Sequence, residues 1–133
     1  MRTRDQEYAA TIYGQVEGVR DAERKKYGSM AHTLPVLIRT AGLAQALAFV
    51  EARGEQPQRL LLDHLATAVG AGTRQDLQVR SRTAELGLYM LLTREVLAAL
   101  LWYKRFAQSV LHVEAGDDEQ VIADGQQPGG GQP

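Results

Sequence analysis

YGSMAHTLPVLIRTAGLAQALAF, residues 27–49, is the stretch whose reading decides the fold. Small residues, one proline and one internal glycine interrupt an otherwise apolar run, with Arg39 isolated between Ile38 and Thr40. No two-residue alternation is sustained, so the segment reads as helix rather than strand. Pro35 pushes Leu34 away from helical geometry, which predicts a break or kink there. Pro35 itself suits the first turn of a new short helix. Past Gly42, the residues Leu43, Ala46, Leu47 and Val50 form an apolar stripe that ends at Gly54, a suitable C-terminal cap. Gly28, Ser29 and Ala31 are small enough for close helix approach, whether within the fold or against a partner.

Outward from this stretch, helical patterns dominate. Thr3 and Gln6 have the spacing of a capping box, and Tyr8, Ile12, Val16 and Val19 then fall on one face. Gly14 and Gly18 each weaken that helix by roughly 1 kcal/mol relative to alanine, or they admit a close neighbour. The charged stretch from Arg20 to Lys26 either continues the helix or turns it. Pro57 opens a further helix whose inward face is Leu61, Leu65, Ala68 and Val69, closed by Gly70 and Gly72. Thr73 to Arg80 reads as a polar connection. Thr83, Glu85 and Leu86 start the longest helical segment, which runs to about Val113, with a break expected near Thr93. Its C-terminal stripe is Val96, Leu100, Tyr103, Ala107 and Val110. The expected fold is an all-α bundle of about five or six helices over residues 1–113. Residues 114–133 are Gly-, Pro- and Gln-rich and are expected to be a disordered tail.

Composition bounds the function. With 133 residues, 44% of them hydrophobic, the chain has room for one domain with one modest core. The absence of cysteine excludes disulfides, thiol catalysis and thiolate metal sites. No apolar run reads as membrane-spanning and no signal-peptide pattern is present, so a cytoplasmic protein with no membrane partner is expected. Arginine outnumbers lysine 12 to 3 and asparagine is absent, which fits a heat-adapted source or a GC-rich genome. The net charge of -1 conceals a partition. All 15 basic residues lie in residues 1–113 with 11 acids, whereas the tail holds Glu114, Asp117, Asp118, Glu119 and Asp124 and no base. The folded part is therefore mildly basic, a pattern compatible with a polyanionic partner.

No catalytic constellation emerges. His32, His64 and His112 are scattered, without a metal-binding spacing, and Asp63 and His64 are neighbours that point apart on a helix. Gly70-Ala71-Gly72-Thr73 lacks the Gly-Lys-Ser/Thr ending of a phosphate loop and follows a helix. Asp63, Asp76 and Glu85 make no two-metal pair. No cofactor and no metal are expected. The basic residues Arg24, Lys25 and Lys26, with Arg20 beside them, form one cluster; Lys104 and Arg105 adjoin Trp102 and Tyr103. Each cluster reads either as a solvated helix face or as a phosphate-binding one. The two aromatics suit base stacking or the core. Arg39 either snorkels to water or meets an anion.

A family resemblance bears on these alternatives. Tyr27–Pro35, followed by Leu43–Phe49, closely resembles the small-subunit protein of the Cmr complex, the type III-B CRISPR effector. Arg82–Leu86 through Trp102–Ala107 resembles the C-terminal half of the same family. With the N-terminal helix, the resemblance covers about residues 4–113 but leaves 54–81 and the tail without a counterpart. It implies a helical, non-catalytic subunit that stacks in several copies beside a backbone subunit. There it would line the groove where guide RNA pairs with target RNA, while other subunits carry out the cleavage chemistry. Phosphate contacts are then expected among Arg24, Lys25, Lys26, Arg39, Lys104 and Arg105. The competing reading is a helical scaffold that binds only protein. A hydrolase and a stand-alone DNA-binding dimer have less support, for want of a metal-ligand cluster and a recognition helix.

Overall fold

The computed structural model describes residues 1–117, all of whose regular structure is helical. The helices are α1 (Arg4–Glu17), α2 (Arg24–Ala41), α3 (Leu43–Arg53), α4 (Gln56–Ala68), α5 (Arg74–Thr83) and α6 (Leu86–Ser109), with a 3-10 turn at Asp21–Glu23 before α2. The expected bundle of five or six helices is therefore observed with six. The expected disordered tail falls, from residue 118 onward, outside the described residues.

Local signals account for most helix starts. At α1 the Gln6 amide donates to Thr3 Oγ1 at 3.0 Å, and the Thr3 amide donates to Gln6 Oε1 at 2.8 Å. At α4 the Glu55 amide donates to Gln58 Oε1 at 2.7 Å, and Pro57 occupies the first turn. These pairings satisfy backbone donors that a helix start would otherwise leave open. Gly42 has φ +90° at the junction of α2 and α3, a left-handed conformation that disfavours side chains. The Tyr89 hydroxyl packs there and accepts the Ala44 amide at 3.3 Å.

Three expectations are corrected. Residues 74–83 form a helix, not a polar connection: Thr73 and Asp76 make a reciprocal cap at 3.1 and 3.0 Å. Only Leu77 and Ser81 of α5 are buried, so apolar periodicity has little to report there. Pro35 neither ends nor restarts a helix but lies inside the 18-residue α2. An internal proline costs about 3 kcal/mol, and packing must offset it; Tyr27, Met30, Ala31, Leu34, Pro35 and Ile38 are all buried. No break occurs near Thr93, whose hydroxyl donates to Tyr89 O at 2.9 Å within the continuous 24-residue α6. By length and hydropathy α6 could cross a bilayer, but here Leu92, Val96, Ala99, Leu100, Tyr103 and Ala107 pack into the bundle core.

The end of α2 meets the start of α6 through Gly42 and Tyr89, while its start meets the chain beyond α6 through Gly28 and Val113. The two helices are therefore antiparallel. Space for a Cβ at Gly28 is absent, since it would stand 2.8 Å from Val113 Cβ. The closely packed Gly28, Ser29 and Ala31 thus face their own chain. Across α3, α4 and α5, the half-buried Arg74 guanidinium bridges Glu51 at 2.8 Å and Asp63 at 3.1 Å, and Gln78 donates to Glu51 at 3.0 Å.

One polar network crosses the core. The Tyr27 hydroxyl lies 2.7 Å from His64 Nδ1, Gln15 Nε2 donates to the His64 carbonyl at 3.0 Å, and the Tyr103 hydroxyl donates to Gln15 Oε1. Both tyrosines are fully buried. Burial raises both hydroxyl pKa values far above the ordinary one and lowers that of the imidazole, against an opposing pull from Asp63. A protonated phenol beside a neutral imidazole makes Tyr27 the donor and His64 Nδ1 the acceptor. The folded state therefore binds the His64 proton less readily than the unfolded chain. Its contribution to stability is complete above about pH 6.5 and is lost as pH falls through the lowered folded value. Chemical denaturation across a pH series is expected to show this acid-side decline, and His64→Gln is expected to flatten it. An unchanged decline in the variant would assign the effect to other groups.

Candidate nucleic-acid interface

The six expected contact residues fall into two groups. Arg24, Lys26 and Arg105 are engaged with protein. Arg24 Nε donates to Val19 O at 2.9 Å and Nη2 to Glu17 O at 3.2 Å, with Asp21 at 3.4 Å. It thereby closes the C-terminal end of α1, whose last turn has no basic residue of its own. Lys26 lies 3.5 Å from the Glu55 carboxylate. The Arg105 guanidinium lies over the Trp102 ring at 5.3 Å, and Trp102 Nε1 donates to Asp5 at 2.9 Å. Trp102 is thus held by Arg105 and Asp5, and Tyr103 belongs to the core.

Lys25, Arg39 and Lys104 differ: all three are exposed and have no ion pair among the described residues. Arg39 follows Lys25 by fourteen residues on one helix, close to four whole turns, which returns it to nearly the same side about 21 Å away. Lys104 lies one turn before Gln108 on α6, and Gln108 donates to Glu114 at 3.2 Å. Three consecutive cations at the start of α2, with no acid in its first turn, oppose the helix dipole. Helix stability alone does not account for them.

After α6 the chain turns at His112, which has φ +59°, and folds back over α2. His32 Nε2 lies 2.9 Å from the Val113 carbonyl, fixing the crossing. Beyond it, Asp21, Arg24, Lys25, Leu111, His112, Val113 and Asp117 line an open cleft. The three histidines thus sit apart, one under this crossing, one in the core network and one at the turn. Among the described residues, no group of three or more His, Asp or Glu side chains is placed to hold a metal.

A second feature lies outside the sequence-based expectations. The start of α6 exposes Leu86, Leu88, Met90 and Leu91 at 72, 56, 56 and 44%. A shallow apolar groove runs beside it, lined by Arg80, Ala84, Leu88, Leu91, Leu92 and Glu95. The apolar run itself is visible in the sequence, but not which side chains the bundle leaves uncovered. The small-residue stretch 27–49 is the less exposed of the two, since of its large hydrophobics only Val36 reaches solvent to a comparable degree.

The family described as CRISPR-associated protein (Cas_Cmr5) matches residues 4–110. The chain belongs to the Cmr5 family. It is 47% identical over 112 residues to the Thermus thermophilus protein named CRISPR system Cmr subunit Cmr5, covering 84% of this chain and 98% of that one. A crystal structure described as a CRISPR-associated Cmr5 family protein from the same organism has a TM-score of 0.75 at 45% identity, covering 84% of this chain and 99% of that chain. The resemblance read from two separated sequence blocks was therefore correct. The family match also spans residues 54–81, for which those blocks offered nothing.

The division among the cations predicts separable effects on stability. Arg24→Ala should lower unfolding free energy by about 1 kcal/mol through the lost α1 closure. Lys25→Ala should leave it unchanged within about 0.5 kcal/mol. Denaturant titration checks both, and equal losses would contradict the division.

Proposed function

We propose that this Cmr5 family protein is a non-catalytic small subunit of a type III-B CRISPR effector complex. In this reading it stacks in several copies beside the backbone subunit and braces target RNA against guide RNA through backbone contacts. The observation that carries the proposal is the set of exposed cations without ion pairs among the described residues, Lys25, Arg39 and Lys104, on a member of this family. Sequence is read by base pairing in such an assembly, so the subunit needs only to hold phosphates. Arg24, Lys26 and Arg105 stand beside these three and raise the local potential while already serving the fold. Each phosphate contact is weak and salt-sensitive alone. Repetition along one strand turns weak contacts into avidity.

The start of α6 supports the assembly half of the reading. Leu86, Leu88, Met90 and Leu91 make an apolar surface suited to a neighbouring subunit. This same face favours the second reading, a scaffold that binds only protein. Chemistry on RNA is left to other subunits, and the compartment is that of the assembled complex, the cytoplasm.

One experiment separates the readings. Complexes are reconstituted with Lys25→Glu/Arg39→Glu/Lys104→Glu or with Leu88→Glu/Leu91→Glu, then assayed for subunit incorporation and target-RNA affinity across a salt series. The charge reversal should leave incorporation intact and weaken RNA binding, with the slope of log K against log salt reduced by roughly 0.7 per lost contact. The leucine replacements should reduce incorporation itself. Unaltered RNA affinity and slope in the charge-reversed complex would leave the scaffold reading.

A further inference from the structure

Helix α6 carries two stripes on opposite sides. One, holding Leu92, Val96, Ala99 and Tyr103, lies in the core. The other faces outward: Gly87, Leu91, Arg94, Ala98, Leu101 and Arg105 are all exposed. Their alternating steps of four and three residues keep them on one seam about 27 Å long. That is the spacing by which one helix packs lengthwise on another. A Cβ at Gly87 would have nothing within 4 Å, and Leu101 is 47% exposed.

Set antiparallel against a copy of itself, this seam is self-complementary. About a two-fold axis beside Val96, Gly87 faces the partner's Arg105, Leu91 the partner's Leu101, and Arg94 the partner's Ala98. Each arginine meets a small residue and each leucine meets a leucine. The partner's Leu101 then enters the shallow groove lined by Leu88, Leu91, Leu92 and Glu95. The partner's Arg94 comes within one turn of the Glu95 carboxylate, which already holds Arg4 at 3.0 Å. A parallel pairing in register would instead set arginine on arginine and leave a gap between glycines. The seam offers a polyanion only two arginines, separated by alanine and leucine. A second copy matches it better.

We propose that the free subunit pairs with a second copy of itself through α6, antiparallel, with the partner's Leu101 seated beside Leu88 and Leu91. A strip one helix wide covers well under the roughly 800 Å² per partner of a stable complex, so the pair is weak and exchangeable. A two-fold contact is closed: it covers the seam of both copies and cannot propagate. Building a longer stack must therefore open it. Only this last consequence rests on the assembly reading above; the pairing itself does not.

Sedimentation velocity of the full-length protein, from about 5 to 500 µM, should show a concentration-dependent dimer. Leu91→Glu and Leu101→Glu, both at exposed positions, should each lower the association constant at least about tenfold with helix content unchanged. The chain has no cysteine, so an oxidised mixture of Leu91→Cys and Leu101→Cys chains reads the register. Mixed disulfides should dominate, because like positions lie ten residues, or about 15 Å, apart. A protein that stays monomeric throughout, or a dimer indifferent to both glutamates, would overturn the pairing. Like-with-like disulfides as abundant as mixed ones would overturn the antiparallel register. The assembly reading is judged separately, by incorporation into the reconstituted complex.

Discussion

Two tyrosine hydroxyls buried in an apolar core, satisfied through one glutamine and one histidine, are the constraint on which the rest of this bundle depends. Tyr27 belongs to α2, Gln15 to α1, His64 to α4 and Tyr103 to α6, so one hydrogen-bonded network fixes four helices. An unmet buried polar group costs about 1–3 kcal/mol, and shifting any one helix would leave such a group. Apolar packing alone tolerates small slides; this network does not. It sets the depth of α2 in the bundle and hence which of its side chains reach water. Lys25 and Arg39 are exposed because Tyr27, Leu34 and Ile38 are not.

The long helix α6 divides along its length. Its C-terminal half supplies Tyr103, Leu100 and Ala107 to the core, while its first turns extend Leu86, Leu88 and Met90 into solvent. A subunit built to stand alone would have little reason for so much exposed apolar surface in one place. In the Cmr5 family such a surface has a natural use in assembly. The cations follow a similar division: Arg24 closes a helix end, whereas the adjacent Lys25 makes no ion pair among the described residues and opposes the dipole of its own helix.

Much of this was legible in the sequence, for identifiable reasons. The start of α1, the stripe of α3 and the proline-led α4 were readable because capping chemistry and apolar period coincide there. Helix α5 was missed because only Leu77 and Ser81 face inward, although Thr73 and Asp76 repeat the spacing already used at Thr3 and Gln6. Pro35 misled because local preference predicts a break, while burial of the surrounding face overrides it. For the candidate site, the sequence offered six cations of equal standing. Only tertiary contacts separate Arg24, Lys26 and Arg105 from Lys25, Arg39 and Lys104, because carbonyls such as Val19 O and carboxylates such as Glu55 become partners only through folding.

The central proposal is that the exposed cations Lys25, Arg39 and Lys104 lie against RNA in the assembled complex. Protein–RNA crosslinking of that complex, loaded with guide and target and mapped to individual peptides, addresses it directly. The account predicts crosslinks from peptides holding Lys25, Arg39 or Lys104. Crosslinks confined to the α4–α5 side, around Arg59, Arg80 and Arg82, would contradict it.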